Sequence, residues 1–421
     1  MDAVLDRAVR KAGWRFMPLL LTGYVLNYMD RNSVGFAGLT MNQDLGMTAS
    51  QFGLAAGIFF ISYCLCEVPS NVIQYRIGAR LWLSRIMITW GLASAATAFV
   101  IGPKSFYAAR FILGIAEAGF FPGVAYFVAA WFPHKERTRI YGWLLLGIPL
   151  SSVIAGPICS LLLQMDGILG FAGWKWMFVL VSLPCTVLGF VALKVLCDSP
   201  AQATFLTDEE RTALQNALAA EEKLRDKKSL WETLKDKRIL ILAATHFGFT
   251  LGSYAITIWL PQIIKEFHLT NLQVGFTSSV PYIFASVVML WWTARVGRKG
   301  YTIPNIVVGC ALAAAGLWWA VISTHSLVMS LAAITIGLTG MVAARALLWT
   351  LPSKFLTGLA ASSGIAFVNS VGTTGGFVGP YMMGVLKDAT GSFQTGVAVL
   401  AGIMMFSGAC ALWLRRYIKD D

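Results

Sequence analysis

The sequence predicts an all-α membrane protein with twelve transmembrane helices, arranged as two pseudo-symmetric halves of six. Hydrophobic residues make up 57% of the chain and charged residues only 13%, so it lacks the polar residues that would cover a soluble fold. Apolar runs long enough to cross a bilayer recur along the chain, separated by short polar turns. We assign spans to 14–37, 51–75, 81–101, 106–131, 139–163, 174–196, 239–263, 272–294, 302–323, 327–350, 359–386 and 393–414.

The net charge of +12 comes from basic residues whose distribution follows membrane topology, and it does not indicate a nucleic-acid partner. Basic residues concentrate in alternate loops, and the positive-inside rule therefore places both termini in the cytoplasm, as an even number of spans requires. We expect a monomeric, multi-pass protein of the cell inner (cytoplasmic) membrane, surrounded by the lipid bilayer. The basic clusters lie at 7–15, 76–85, 135–139, 295–299 and 415–419.

The segment between spans six and seven is charged and polar, and it interrupts the regular series of apolar spans. Thr207 followed by Glu210 is a capping box, which predicts an amphipathic helix that ends near Glu222. On the predicted topology this segment is cytoplasmic. We therefore predict an N-terminal six-helix half over 1–196, a cytoplasmic linker over 197–238, and a C-terminal six-helix half over 239–421.

Short motifs recur in the two halves in the same order, between 219 and 223 residues apart. Their agreement in order and spacing indicates a parallel duplication. Repeats of this kind place a substrate site between the halves, near the middle of the membrane. The matching pairs are 76–78 with 295–297, Pro133 with Pro352, and 156–157 with 379–380.

Four charged residues lie inside apolar spans: Asp30 and Arg31 in span one, Arg110 and Glu117 in span four. Each costs at least about 2.5–3.5 kcal/mol at a helix centre, so such residues normally face a cavity or each other. Arg110 and Glu117 are seven residues apart and share one helix face. At about 1.5 Å per residue, Arg110 lies ~7 Å and Glu117 ~18 Å below the outer edge, with Asp30 and Arg31 between. We expect the four charges to share one depth zone.

These charges permit a structural and a functional interpretation. As structure, they would form ion pairs that hold spans one and four together, but buried pairs stabilise poorly compared with apolar packing. As function, Arg31 and Arg110 would bind a carboxylate, because a guanidinium group binds it bidentately. Asp30 and Glu117 would carry protons, since an anion on the arginines removes the positive charge that keeps carboxylates ionised. Anion and proton binding would then favour each other, and we favour this interpretation.

Other polar and aromatic residues in the spans have alternative roles. For Glu67 and Arg345, near the cytoplasmic side, gating, helix pairing and substrate contact are all open. Asn369 belongs to a polar patch in the glycine-rich span eleven, where it serves either substrate contact or close helix packing. Tyr254 and Trp259 of span seven either line the cavity or belong to the core. The seven cysteines show no metal-ligand spacing, and we expect no metal and no cofactor.

Several longer motifs carry a family resemblance: Tyr28-Met29-Asp30-Arg31, residues 110–114 and 117–123, residues 131–133, and residues 364–379. Over essentially its whole length the chain resembles the major facilitator superfamily, and within it the anion:cation symporters of the bacterial tartrate, phthalate, galactonate and hexuronate permease type. The resemblance implies uptake by alternating access, with the proton as coupling ion. It also implies that Asp30 and Glu117 take protons, while Arg31, Arg110 and Tyr28 organise the anion.

The chain departs from the family pattern in two places. The loop over residues 75–80 lacks the aspartate that is common in the superfamily's cytoplasmic motif, so conformational locking there has no such carboxylate to use. The animal relatives that carry glutamate place an arginine in span seven, and span seven of this chain has none. We therefore do not expect glutamate as the substrate.

We predict a proton-coupled symporter that imports small organic anions, either tartrate-like hydroxy-carboxylates or sugar acids. An anion exchanger on the same fold stays open, because Asp30 and Glu117 could remain ionised partners of the arginines. A permease for aromatic acids of the phthalate or hydroxyphenylacetate type also stays open, because Tyr28, Tyr254 and Trp259 could form a stacking wall. A sensor or scaffold that had lost transport should have lost the buried charges. The sequence has no enzyme motif, and we do not expect an enzyme.

Overall fold

The structure is a computed structural model that describes residues 3–222, 236–352 and 358–418. Within these ranges it consists of helices joined by short turns, and it contains no β-strand. The helices are α1 (Ala3–Ala37), α2 (Met41–Asp44), α3 (Ala49–Ile77), α4 (Ala79–Ala96), α5 (Pro103–Glu117), α6 (Phe120–Trp131), α7 (His134–Leu145), α8 (Gly147–Leu163), α9 (Gly173–Val195), α10 (Asp208–Glu222), α11 (Lys237–Lys265), α12 (Asn271–Lys299), α13 (Thr302–Ile322), α14 (Leu327–Leu348), α15 (Gly358–Thr390) and α16 (Gln394–Leu414).

Each of the twelve predicted spans coincides with one helix or with two consecutive helices in the described ranges. Nine of these spans meet strict limits of length and mean hydropathy for crossing a membrane. The other three are α1, α4 and α15, which carry charged or polar stretches such as residues 27–32 of α1. The prediction of an all-α fold with twelve transmembrane helices is confirmed.

Span four is broken immediately after Glu117, so that it consists of α5 followed by α6. The backbone leaves the helical region at Ala118 and enters the left-handed region at Gly119, where φ is 90°. A side chain at Gly119 would also collide with Ser70 of α3. The Ser70 hydroxyl donates to the carbonyl oxygen of Ala118 at 2.7 Å, which satisfies a backbone group freed by the break.

The two sets of six spans, α1–α9 and α11–α16, touch at the end of the bundle opposite the termini. α3 begins at this end and α15 ends there, and a side chain on Gly53 would collide with the backbone of Pro380. Gly156 of α8 meets Gly275 of α12 in the same way, and Gly35 of α1 meets the backbone of α11. The cavity between α1, α8, α11 and α12 measures only ≈ 10 Å³, about enough for one water. The bundle is therefore closed at this end.

The segment that follows α9 packs on the first set of spans. α10 begins with the predicted capping box, in which Glu210 Oε2 accepts from the Thr207 N–H at 3.0 Å and Thr207 Oγ1 accepts from the Glu210 N–H at 3.3 Å. The same carboxylate accepts from Lys11 Nζ of α1 at 2.8 Å. Near the end of α10, Glu221 pairs with Arg137 of α7 at 3.1 Å. α10 is thus tied to both α1 and α7.

The loop over residues 75–80, which lacks the aspartate of the family motif, is hydrogen-bonded to a carboxylate from another part of the chain. Asp198, just after α9, accepts from the Arg80 backbone N–H at 2.8 Å, and Arg80 Nε donates to the Leu193 carbonyl oxygen at 2.7 Å. The junction of α3 and α4 is therefore held against the end of α9. Linker residues 223–235 lie outside the described ranges, and the division at 1–196, 197–238 and 239–421 stays a prediction.

Replacement of Glu210 by Gln is expected to destabilise the protein most at neutral pH. The Lys11 ammonium and the Thr207 N–H hold the pKa of the Glu210 carboxyl below its ordinary value. Its contribution to stability is therefore present above the unfolded pKa of about 4.3 and is lost as the pH falls through the lower folded pKa. The difference in Tm between wild type and Glu210→Gln should shrink below about pH 4. Glu209→Gln, at an exposed neighbour, should leave Tm unchanged; a pH-independent difference for Glu210→Gln would contradict the expectation.

Candidate functional site

Asp30 lies in α1 and faces α4. Its side chain is buried, and its carboxylate accepts hydrogen bonds from Trp90 Nε1 at 3.2 Å and from the Ser94 hydroxyl. The two donors are four residues apart on α4, so they lie on one helix face and can converge on one carboxylate. Arg110 lies within electrostatic range of Asp30. Asp30 is therefore held by neutral donors, with a cation nearby.

Arg31 points away from Asp30, because adjacent side chains on a helix diverge by about 100°. Its Nε donates to Glu117 Oε1 at 2.7 Å, and its Nη2 pairs with the same oxygen. The Glu117 side chain is fully buried, whereas 11% of the Arg31 side chain remains exposed. This ion pair joins α1, six residues before its end, to the last residue of α5.

Arg31 also contacts the second set of spans. Its Nη1 donates to the hydroxyl of Tyr254 on α11 at 3.1 Å. The Tyr254 ring packs on Phe60 of α3, with the ring centroids 4.4 Å apart. Arg31 therefore lies at the junction of the two sets, inside an aromatic shell that favours a cation. The guanidinium carbon is between 5.0 and 5.4 Å from the ring centroids of Tyr63, Phe59 and Tyr28.

Arg110 of α5 is only 2% exposed and lies over the ring of Phe59, 4.8 Å from its centroid. In the described part of the chain no carboxylate lies within 4.0 Å of its guanidinium, and its Nε has no hydrogen-bond partner. Glu117 Oε2 is likewise buried and without a partner. Polar groups left in this condition are costly to bury. The cluster thus offers an unused guanidinium edge to an anion and an unused carboxylate oxygen to a proton.

Close packing of α3 on α5 sets the position of Arg110 and Glu117. Gly114 lies between them on α5, and a Cβ there would collide with the Ser62 hydroxyl and the Phe59 carbonyl oxygen of α3. The absence of a side chain lets the two helices approach closely, as small residues do in other membrane bundles. This approach brings the Arg110 guanidinium onto the Phe59 ring.

The structural interpretation of the four charges expects two ion pairs. The structure forms one of them, between Arg31 and Glu117. Asp30 faces α4 instead of an arginine, and its hydrogen-bond partners come from span three. Trp90 and Ser94 were not singled out by the sequence patterns; their one signal is a polar residue four positions from a tryptophan in an apolar span. The predicted residues that the structure brings into one cluster are Tyr28, Arg31, Arg110, Glu117 and Tyr254.

Three other predicted residues form no hydrogen bond or ion pair with this cluster in the described part of the chain. Glu67 of α3 is 7% exposed and Arg345 of α14 is half-buried, and among the described residues neither has an ion-pair partner within 4.0 Å. Asn369 is half-buried on α15, seven residues before Gly376, and so lies on nearly the same helix face. A side chain on Gly376 would collide with Phe60, so this face of α15 is directed toward α3.

Trp259 does not line a cavity. It is fully buried at the closed end, where its Nε1 donates to the Pro380 carbonyl oxygen at 3.0 Å. Its ring packs edge-on against Phe52, with the centroids 5.3 Å apart. The expectation that Trp259 could stack on a substrate is therefore wrong for this conformation, and it belongs to the core.

Comparisons with known proteins agree with this architecture. The family model of the Major Facilitator Superfamily matches residues 20–380. A protein of Agrobacterium vitis with the provisional name of tartrate transporter is 45% identical, covering 97% of this chain and 92% of its own. The quinolone resistance transporter of Acinetobacter baumannii is 41% identical, covering 96% of this chain and 94% of its own. Among solved structures, a D-xylose–proton symporter matches with a TM-score of 0.79 at 13% identity, covering 97% of this chain and 98% of its own.

Substitution of Gly114 by Ala is expected to displace α5 from α3. The added methyl group has to move the Phe59 backbone, and overpacking of this kind costs about 1–3 kcal/mol. Thermal unfolding in detergent should show a lower Tm than wild type. Gly102→Ala, at the start of the same helix where a Cβ meets nothing within 4 Å, is the matched control. Equal Tm values for the two variants would contradict the close packing of α3 and α5.

Proposed function

The chain belongs to the Major Facilitator Superfamily, and we propose that it is a proton-coupled symporter that imports small organic anions. The family and the relatives make it a multi-pass membrane transporter of a small molecule and not an enzyme. In the proposed mechanism Arg31 and Arg110 hold the anion, while Asp30 and Glu117 carry protons. No cofactor takes part, and the protein acts in the inner membrane with both termini in the cytoplasm.

The observation that carries this proposal is the Arg31–Glu117 pair beside an Arg110 without an acceptor. A substrate carboxylate that binds the two arginines competes with Glu117 for their positive charge. Once it loses that charge, Glu117 favours the protonated form, because an isolated ionised carboxylate is costly in apolar surroundings. Anion binding and proton binding therefore favour each other, and this coupling is reciprocal.

Asp30 would respond to the same anion. Its hydrogen-bond donors Trp90 and Ser94 are neutral, and Arg110 is a nearby source of positive charge. An anion on Arg110 cancels part of that charge. One bound anion therefore favours protonation of both buried carboxylates, although they face different helices.

Hydroxylated carboxylates fit the other polar groups of the site. The Tyr254 hydroxyl accepts from Arg31, the Tyr28 ring centroid lies 5.4 Å from the Arg31 guanidinium carbon, and Asn369 is on the face of α15 that is directed toward α3. These groups suit the hydroxyls of a tartrate-like acid or a sugar acid. The name of the Agrobacterium vitis relative supports the first of these classes.

The aromatic shell around Arg31 favours a second candidate, an aromatic carboxylic acid. Quinolones are acids of this kind, and a relative at 41% identity is named for resistance to them. Tyr28, Phe59 and Tyr63 could offer ring faces or edges to such a substrate. An anion exchanger would use the same arginines without proton transfer, and the next experiment separates exchange from symport.

Glu117→Gln and Asp30→Asn are each expected to abolish accumulation driven by a pH gradient, because neither amide can carry the coupled proton. Counterflow of labelled anion between equal concentrations should remain measurable. Both activities are measured in proteoliposomes with tartrate as the probe. Glu209→Gln removes an exposed carboxylate of α10 and should retain both activities. Accumulation that persists in both site variants would refute the assignment of symport.

Alternating access is the proposed transport mode, and the closed end of the bundle supports it. There the carboxylate of Asp388, on α15, accepts from the backbone N–H groups of Ala49 at 3.0 Å and Ser50 at 2.7 Å, and from the Ser50 hydroxyl. Ala49 and Ser50 begin α3, so an anion from one set of spans caps the positive helix end of the other. These bonds have to break when this end opens.

Asp388→Asn is expected to favour opening at this end, because charge-assisted bonds to a helix N-terminus are stronger than neutral ones. A loss of about 1 kcal/mol changes the open-to-closed ratio about fivefold. A cysteine at Ala155, which lines the ≈ 10 Å³ cavity, should react several times faster with a membrane-impermeant thiol reagent in an otherwise cysteine-free chain. Asp166→Asn is the control, since Asp166 bonds Gly173 within the first set of spans. Equal labelling rates in the two variants would show that the hydrogen bonds of Asp388 do not hold this end of the bundle closed.

A further inference from the structure

Arg345 is a charged residue in the second set of spans that the mechanism above does not use. It lies four residues before Trp349, near the end of α14, and it is half-buried. Within the described part of the chain it forms no ion pair within 4.0 Å and donates no hydrogen bond to another side chain. A cation inside a span normally has a partner or faces a water-filled cavity. Arg345 therefore has no anionic partner among the residues that the structure describes.

The contacts of α14 define the direction in which Arg345 points. One turn before it, Met341 accepts from the Ser253 hydroxyl of α11 at 3.3 Å. One turn after it, Trp349 packs edge-on against His246 of α11, with the ring centroids 4.7 Å apart. Residues four apart share a helix face, so Arg345 faces α11 at a level between these two contacts.

This position is next to the cluster around Arg31. Tyr254, which accepts from Arg31, follows Ser253 on α11, and Tyr28 lies within electrostatic range of both Arg31 and Arg345. Tyr28 is thus within electrostatic range of two guanidinium groups, one from each set of spans. Glu117 pairs with Arg31, whereas Arg345 has no carboxylate within 4.0 Å among the described residues.

We propose that Arg345 binds the second carboxylate of a dianionic substrate whose first carboxylate is held by Arg31. The inference rests on the proposed function and narrows its substrate class to short dicarboxylates. Each guanidinium then forms charge-assisted hydrogen bonds with one end of the anion. Because the two arginines belong to different sets of spans, the bound dianion also links the halves, as a symporter requires before it closes around its cargo.

A gating role is the alternative for Arg345, and Glu67 is its candidate partner. Glu67 of α3 lies within electrostatic range of Arg31 and, in the residues described, has no ion-pair partner of its own. If Arg345 and Glu67 paired when the other end of the bundle closes, loss of Arg345 would slow transport of every substrate equally. A role in binding changes the preference between substrates instead.

The test compares tartrate with threonate, a four-carbon hydroxy acid that has one carboxylate. Affinities are measured by calorimetry on the purified full-length protein in nanodiscs. Arg345→Gln should lower the ratio of tartrate to threonate affinity at least tenfold, and Arg345→Lys should restore part of it, since lysine keeps the charge without the bidentate fork. Arg298→Gln, which removes an exposed cation at the end of α12, should leave the ratio unchanged.

Arg31→Gln separates this inference from the proposed function, because it should weaken both acids. If Arg31→Gln weakens both and Arg345→Gln leaves the ratio unchanged, the anion site stands and the dicarboxylate assignment is overturned. An unchanged ratio with slower transport of both acids, rescued by exchanging the charges of Glu67 and Arg345, would establish the gate instead. If wild type binds neither acid, or if Arg31→Gln changes neither affinity, the proposed function fails and the inference fails with it.

Discussion

The bond between Arg31 and Glu117 is the interaction on which the rest of the site depends. In a hydrocarbon environment neither charge is tolerated alone, so α1 has to meet α5 at this level. Glu117 is also the last residue of α5, and the chain leaves the helix directly after it. The approach of α5 to α3, made possible by Gly114, then determines where Arg110 lies relative to Phe59. One ion pair thus constrains three helices and the break in span four.

The charged cluster around this bond contains polar atoms without partners, and this distinguishes the site from a structural ion pair. A scaffold built of buried charges is stable only when each polar atom has a partner, because a half-satisfied network is worse than an apolar core. Here Glu117 Oε2 and Arg110 Nε are both buried without partners among the residues that the structure describes. The chain tolerates this cost at the place where an added anion and an added proton would remove it. In the proposed mechanism the same groups therefore account for both a cost in stability and the coupling of anion to proton.

Hydropathy predicted the twelve spans because a membrane helix is defined by a continuous apolar run, and all twelve coincide with helices. The pairing of span one with span four could also be predicted from the sequence, since the depth of each charge follows from residue number. The hydrogen-bond partners of Asp30 could not be predicted from the sequence, because they depend on which neighbouring helix each face of α1 meets. The divergence of about 100° between adjacent side chains implies that Asp30 and Arg31 face different helices, but not which ones. Trp259 shows the same limit, since its contacts with Pro380 and Phe52 depend on how the two sets of spans pack together.

The site is also asymmetric between the two halves, although the fold is built from a duplication. The first half holds Asp30 and the Arg31–Glu117 pair, whereas the second contributes the Tyr254 hydroxyl to this cluster. At the closed end, glycine contacts and the Asp388 cap already join the halves without any substrate. Near the level of Arg31, the halves are joined by the hydrogen bond from Arg31 to Tyr254 and by the bond from the Ser279 hydroxyl to the Val153 carbonyl oxygen at 2.8 Å. In the proposed mechanism, a substrate that binds both halves would add to these few contacts, which is how binding energy can be directed into a change of conformation.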